Sequence, residues 1–438
     1  MKFKEIKLEK VCTIQRGASP RPIKDFIVSD GVPWVKIADA TADSSRYIFK
    51  TKEFIKHEGV MKSRPVVKGD LILSNSATPG LPKIMMIDAC IHDGWLLLRE
   101  FKGISKEFLY YILVNKRREL VSNATGTVFN NLKTDTVKNF KIQIPPMDMQ
   151  KKIVSYLGTI DDKIDLNRKI ISNLEELAQT LFKRWFVDFE FPNEEGKPYK
   201  SSGGKMVESE LGMIPEGWDI GNLNYFIHET MNGDWGKAEA EKNHQFPVNI
   251  IRGADLPELR FGRDGKPPKR FILEKNFKKK SLRNGDVIVE ISGGSPTQST
   301  GRTLFVDQNI LKKFDNKVVS TNFCRVLRPS IEEHGIFVHT YFAYLYNNGV
   351  FFNYENGTTG IKNLDIKSVL EELKVVLPDE TILNKFNSLV YILLNSIQKL
   401  GDENSKLEAI RDTLLPKLLS GEIELPDDME VTDDVPIS

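Results

Sequence analysis

Apolar residues recur at alternating steps of four and three along one stretch of the chain. They read Ile153, Leu157, Ile160, Ile164, Asn167, Ile171, Leu174, Ala178, Leu181 and Trp185, with Asn167 as the polar exception. That spacing is a coiled-coil seam and predicts a long helix beginning past Pro145-Pro146. Displaced by 233 residues, the ladder returns as Phe386, Val390, Leu393, Ile397, Leu400, Asn404, Leu407, Arg411, Leu414 and Leu418. Pro416 lies inside this second helix and is expected to break or kink it, because proline lacks an N–H and crowds the carbonyl four residues back. Leu418 is then the weakest member of the seam. If the helices pair antiparallel in full register, partner numbers sum to 571, so Asn167 faces Asn404, and Arg411 falls opposite Ile160 beside Asp161 and Asp162. A buried amide pair costs stability but penalises slipped registers. Two unpaired amphipathic helices, each on its own core, are the open alternative. The seam spans about 50 Å at 1.5 Å per residue, longer than the roughly 34 Å turn of B-DNA.

The segments before the helices read differently. Short apolar runs bounded by Gly, Pro, Asn and Asp predict strands: VPWVKIAD, GDLILSNS and FKIQIP first, then FPVNIIRGAD, GDVIVEIS and LKVVLP. Helical patterns sit among them at KEFLYYILVNKRREL and IFVHTYFAYLYNNG. The runs repeat. Ala38-Asp39 and Gly69-Asp70 return as Ala254-Asp255 and Gly285-Asp286, both 216 residues on. Asn131-Leu132 returns as Asn363-Leu364 at 232, and Thr125-Gly126 as Thr359-Gly360 at 234. Such a period is too long for a solenoid and implies two similar mixed α/β domains in tandem. The expected fold class is therefore α+β, with two long helices forming an antiparallel coiled coil between the domains. The loops after the Gly-Asp strands differ, SNSATPGLPK against SGGSPTQSTGR, as suits one scaffold serving two targets.

Composition adds constraints. The chain has 438 residues, 40% of them hydrophobic and 28% charged, and a net charge of +2. No apolar run reaches the ~18 residues of a membrane span, and the start MKFKEIKLEK lacks a signal-peptide core, so the expected location is the cytoplasm. Cys12, Cys90 and Cys324 are widely spaced and suggest buried thiols, neither a disulfide framework nor a zinc site. The tail from residue 421 is acidic, which leaves the body basic. The densest basic run is KPPKRFILEKNFKKKSLR, residues 266 to 283. It attracts phosphates through counterion release or, alternatively, keeps a strand edge soluble.

Catalytic motifs do not materialise. Neither double-proline site, Ile144-Pro145-Pro146 nor Lys266-Pro267-Pro268, supplies the Asn-Pro-Pro-aromatic pocket of an adenine methyltransferase. Gly294 to Gly301 has the wrong spacing for a phosphate loop, and Arg302 stands where lysine is needed. Asp286 and Glu290 suggest a metal nuclease, but Ser292 occupies the lysine position and Ser74 replaces the glutamate in the first copy.

The order of a variable mixed domain, a proline-ended strand, the helix DDKIDLNRKI…LFKRWFVDF, the segment ESELGMIPEGW and the terminus LLPKLLSGEI resembles the specificity subunit of type I restriction-modification systems, over essentially the whole chain. The segment PDETILNKFNSLV departs from the family's Gln-containing turn. The resemblance implies two target recognition domains (1–145 and 215–377), each reading half of a bipartite double-stranded DNA site. It implies two conserved-type spacer helices (146–190 and 378–420); composition reads as a linker at 191–214 and as an acidic, disordered tail at 421–438. The resemblance further implies two methyltransferase subunits docked on the helices, with restriction motor/nuclease subunits further out. No cofactor is expected on this chain, and S-adenosylmethionine, ATP and Mg are expected on the partner subunits.

Side chains suited to reading bases and phosphates single out Lys36, Asn75, Ser76, Thr78, Lys83, Thr125, Thr127, Asn130 and Lys133 in the first copy. In the second they are Arg252, Lys279, Ser295, Thr297, Gln298, Arg302, Thr358, Thr359 and Lys362. Solvated turns are the competing reading for each. The aromatic cluster Trp185, Phe186 and Phe189 is a candidate partner-subunit interface, with packing onto the second domain as its alternative. Two other functions stay open: a stand-alone DNA enzyme such as a metal-dependent nuclease, and a coiled-coil scaffold that only joins proteins.

The helix register has a direct test. With Asn167→Cys and Asn404→Cys combined, a disulfide is expected to form within the folded monomer on oxidation, visible as a mobility shift on a non-reducing gel. Failure to cross-link overturns the register.

Overall fold

The computed structural model describes residues 3–42, 45–122, 131–295, 297–357 and 362–426. It divides into two compact units, residues 1–165 with 407–438, and residues 166–406. Each long helix contributes to both: Met147–Phe186 and Glu380–Ser420.

The first unit carries a five-stranded sheet in the order Thr13–Arg16, Trp95–Arg99, Leu71–Ser74, Pro82–Met85, Tyr47–Ile48. In a second sheet, Val32–Val35 pairs in parallel with Ala89–Ile91. Lys4–Lys7 pairs antiparallel with Lys141–Ile144, bringing the front of the unit back to the strand that precedes the helix. The second unit repeats this plan. Its central sheet orders Ile227–Asn232, Cys324–Pro329, Val287–Glu290 and Thr303–Phe305. His244–Ile251 pairs in parallel with Lys317–Ser320, and Asp219–Asn222 closes antiparallel on Lys374–Leu377. The duplication read from the sequence is thus a duplication of strand order.

The repeated dipeptides hold the same places. Gly69 and Gly285 adopt φ of +94° and +86°, a left-handed turn that a Cβ would strain. The aspartates that follow accept turn amides, Val67 N–H to Asp70 at 2.6 Å and Arg283 N–H to Asp286 at 2.8 Å. Each also binds an arginine from the neighbouring strand: Arg99 Nε to Asp70 at 2.8 Å, and Arg328 Nε and Nη2 to Asp286 at 2.9 and 2.8 Å. Asp39 and Asp255 cap short helical turns by accepting the amides of Lys36 (2.8 Å) and Arg252 (3.0 Å). The Asn-Leu pairs recur because Leu132 N–H bonds Asn75 O and Leu364 N–H bonds Ile291 O, both at 2.8 Å, at equivalent places beyond the Gly-Asp strand.

The helices pair within each unit. In the second, Asn167 Nδ2 donates to Asn404 Oδ1 at 2.9 Å, and Trp185 meets Phe386 with ring centroids 5.8 Å apart, both pairs summing to 571. In the first, Arg411 Nη1 binds Asp161 Oδ1 at 2.8 Å, and Asp161 Oδ2 accepts from Tyr111 Oη at 2.8 Å. Arg46 joins through Tyr111 Oη at 3.1 Å and through Asp162. The expected break at Pro416 is corrected: the helix runs on to Ser420. Leu415, Leu418 and Leu419 are buried against Ile153 and Leu157, and this packing holds the last turns despite the lost hydrogen bond. Leu418, expected to be the weakest member of the seam, is 2% exposed.

Tyr111 and His339 occupy matching positions in helices Lys106–Asn115 and His334–Asn347. Among the described residues, His339 hydrogen-bonds to no carboxylate as Tyr111 does to Asp161. Its Nδ1 lies 3.2 Å from Thr303 Oγ1, and burial, with the Arg260 charge adding to it, pushes its pKa down to about 3. In the unfolded chain a histidine titrates near ~6.5. Between those values the unfolded state takes up a proton that the folded state refuses, so stability is lost as pH falls. Urea titrations from pH 7 to pH 5 are expected to show a loss of about 2 kcal/mol from this group, and His339→Leu should remove that slope.

Candidate nucleic-acid interface

The two copies diverge where the Gly-Asp strand ends. In the first, buried Ser74 closes the loop: its Oγ donates to Thr78 O at 2.6 Å and accepts from Leu81 N–H at 2.8 Å. Gly80 N–H returns to Ser74 O, also at 2.8 Å. In the second, Glu290 takes the place of Ser74, and Gly301 N–H returns to its carbonyl at 2.9 Å. The longer loop between is clamped by a bidentate pair, Arg302 Nε and Nη2 to Glu290 at 2.7 and 2.6 Å. The two loops therefore share their closing bond but not their length or their polar groups.

The candidate residues fall into distinct environments. Ser76 and Thr78 are half-buried in the first loop, around Ala77 at φ +55°. Asn75 is buried, with Nδ2 on Asp93 O at 3.1 Å. Lys83 is 3% exposed, and its ammonium binds Ser45 O in the interior, a position set by its place in a wholly buried strand. Lys36 pairs with Glu53 and sits over the Trp34 ring at 5.5 Å. Lys133 is exposed ahead of the helix Thr134–Asn139. Thr125, Thr127, Asn130, Thr358 and Thr359 lie outside the described residues.

In the second unit, Ser295, Thr297 and Gln298 form the tip of the loop, closed by a Ser295–Gln298 bridge; Gln298 Nε2 reaches Tyr346 Oη at 3.2 Å. Thr297 and Gln298 are exposed. Lys279 is also exposed, 3.4 Å from Glu229. Three cations are committed to carboxylates. Arg302 holds Glu290. Arg252 grips Asp255 through Nε and Nη2, both at 2.9 Å. Lys362 holds Glu355 at 2.8 Å. Burial pushes the Asp255 carboxyl up, but bonds from Arg252 and from the Lys266 amide outweigh it and leave the acid below its usual range. Glu355 behaves alike: burial raises it, while Lys362 and the Thr300 N–H and hydroxyl lower it further.

Sequence reasoning passed over several structural anchors. Gln150 is completely buried, accepting Ser105 N–H at 2.9 Å and donating to Gly103 O and Pro145 O at 3.1 and 3.0 Å. It pins the helix start to its domain. Leu383 fills the matching position of the second copy by packing alone, which accounts for the altered turn there. Arg117 Nε props the first loop through Pro79 O at 3.1 Å. The aromatic cluster offered as a partner-subunit interface is instead buried, in line with its packing alternative. Trp185, Phe186 and Phe189 are 5, 8 and 9% exposed and pack among Trp218, Phe337 and Phe386. Leu181, Phe182, Trp185 and Phe186 form an apolar face wider than the seam, and the rings enter the core of the second unit.

Asp286 and Glu290, the acids that suggested nuclease chemistry, are both occupied by arginines. Among the described residues, no group of three or more His, Cys, Asp and Glu side chains could hold a metal ion. Among them, too, no helix is long and apolar enough to cross a membrane.

Comparison with known proteins agrees with this architecture. Residues 1–176 match the type I restriction modification DNA specificity domain. The chain is 28% identical, over 96% of its length and 93% of the relative's, to the type I restriction enzyme MjaIX specificity subunit of Methanocaldococcus jannaschii. It is 24% identical to the HindI specificity subunit of Haemophilus influenzae, over 82% of this chain and 88% of that one. The fold is shared with the crystal structure of a type I restriction-modification S subunit from M. genitalium, at a TM-score of 0.56 and 14% identity, covering 95% and 96% of the two chains. A duplicated mixed sheet, a pair of long antiparallel helices and these relatives together place the chain in the family of type I restriction-modification DNA specificity subunits.

Proposed function

We propose that each unit reads one half of a bipartite double-stranded DNA site, and that the long helices act as spacer and as the docking site for two methyltransferase subunits. Restriction subunits complete the assembly. The family assignment makes the chain a specificity subunit and not the catalyst, so methyl transfer and cleavage, with S-adenosylmethionine, ATP and Mg, fall to the partners. The observation that carries the division of labour is the pair of matched sheets whose Gly-Asp strands end in unlike loops, 75–79 and 291–300. A common scaffold with different polar tips is what two half-sites of different sequence require.

In this reading Ser76, Thr78 and Lys133 on one unit, and Ser295, Thr297 and Gln298 on the other, supply base or sugar-phosphate contacts. Arg252, Arg302 and Lys362 shape the loops from beneath through their carboxylates. Lys279 adds sequence-independent attraction.

Co-purification with the methyltransferase subunit and mapping of methylated adenines should give a two-part recognition sequence. Gln298→Ala is expected to relax preference in one half only, by about 1–3 kcal/mol at the affected base pair; equal loss in both halves overturns the division. Lys279→Ala should weaken binding evenly across sequences and lower the salt slope by about one contact, measured by anisotropy titrations over a range of salt.

A further inference from the structure

The arginines of the second unit are mostly committed to protein acceptors: Arg252 to Asp255, Arg260 to Glu175, Arg302 to Glu290 and Arg328 to Asp286. Arg325 differs. It is half-buried in strand Cys324–Pro329, and its Nε is shielded from solvent without a hydrogen-bond partner. Among the described residues, its guanidinium meets no carboxylate, carbonyl or aromatic ring within bonding distance. Burial without a counter-charge draws its pKa below the usual arginine value. Holding a half-buried cation this way costs desolvation energy that no partner among the described residues offsets.

The scaffold itself does not require an arginine there. Arg325 lies opposite Val289, whereas in the first copy the equivalent pair is Leu96 opposite Leu73, both fully buried. On its other side Arg325 pairs with exposed Asn232, where the first copy has Arg16 opposite Leu96. Residues opposite one another on neighbouring strands share a face of the sheet, so this row runs from the core at Val289 out to solvent at Asn232. The row also adjoins the divergent loop. Phe323, two residues before Arg325 and 62% exposed, accepts the Ile291 N–H at 3.0 Å where that loop begins.

We propose that Arg325 is a DNA-contacting residue of the second unit, its free guanidinium receiving either a phosphate oxygen or the O6/N7 edge of a guanine. The proposal rests on the DNA-reading function argued above. Both acceptors match the planar fork of donors that the protein leaves unfilled. The loop tip then reads beside a cation carried on a strand of the central sheet, so its backbone needs no ordering on binding.

The test uses the full chain assembled with its methyltransferase partner and duplexes carrying the mapped site. Arg325→Leu installs the residue type of the first copy. It should weaken specific binding by about 10- to 100-fold while the melting temperature stays level or rises. If the acceptor is phosphate, Arg325→Lys restores part of the affinity and the salt slope of the Leu variant falls. If it is guanine, Lys restores little, the slope holds, and selectivity is lost at one base pair of a single half-site. Unchanged binding by Arg325→Leu overturns the proposal. So does a lowered melting temperature in both Arg325→Leu and Arg325→Gln, which would assign the side chain to folding. If the unaltered assembly binds DNA without sequence preference, the failure belongs to the DNA-reading function, and the proposal falls with it.

Discussion

A buried carboxylate gripped by an arginine from the next strand fixes the centre of each unit. Asp70 with Arg99, and Asp286 with Arg328, tie a left-handed glycine turn to the middle of the main sheet. Each aspartate also accepts an amide of its own turn, so most of its lone pairs are satisfied. Removing either arginine would strand a carboxylate in a site less than a tenth exposed, where breaking a pair costs on the order of several kcal/mol. With the root of the strand held this firmly, the loop at its far end is free to vary. Ser74 and Glu290 mark that point: the same backbone hydrogen bond closes both loops, while the side chains above it share no chemistry.

The helices use polar groups for a different purpose. In the second unit the Asn167–Asn404 hydrogen bond lies within an otherwise apolar seam, and Asn167 Nδ2 also reaches Glu403 at 2.7 Å. In the first unit the seam is interrupted by Arg411, which finds Asp161 and, through it, Tyr111 and Arg46. Apolar seams tolerate sliding by a heptad; directional bonds between particular side chains do not. These contacts contribute more to register than to stability.

Cations divide into three groups. Some are structural, such as Arg328 on Asp286. Some shape the loops, such as Arg302 on Glu290. Others, Lys279 and Lys133 among them, are exposed to solvent, with Lys279 3.4 Å from Glu229. Arg325 belongs with none of these, since no partner among the described residues matches its desolvation. Positive charge alone therefore does not single out a candidate DNA contact; the local partner has to be read with it.

The sequence by itself determined the duplication, the helix seam and its register, because periodicity and repeated turn dipeptides are local consequences of backbone geometry. Asn167, Asn404 and Arg411 could be placed by arithmetic, and the Gly-Asp and Asn-Leu repeats by offset. Sequence could not decide which polar residues face outward. Lys83 looks like a DNA-binding lysine until the strand Pro82–Met85 proves buried on both faces, and Trp185 looks like an exposed anchor until the second unit closes over it. Pro416 could not be judged either, since Ile153 and Leu157, distant in sequence, pack on the turns around it and the helix continues to Ser420. Burial and ion pairing depend on residues far apart in the chain, and only the folded chain brings Arg302 to Glu290 while leaving Arg325 alone.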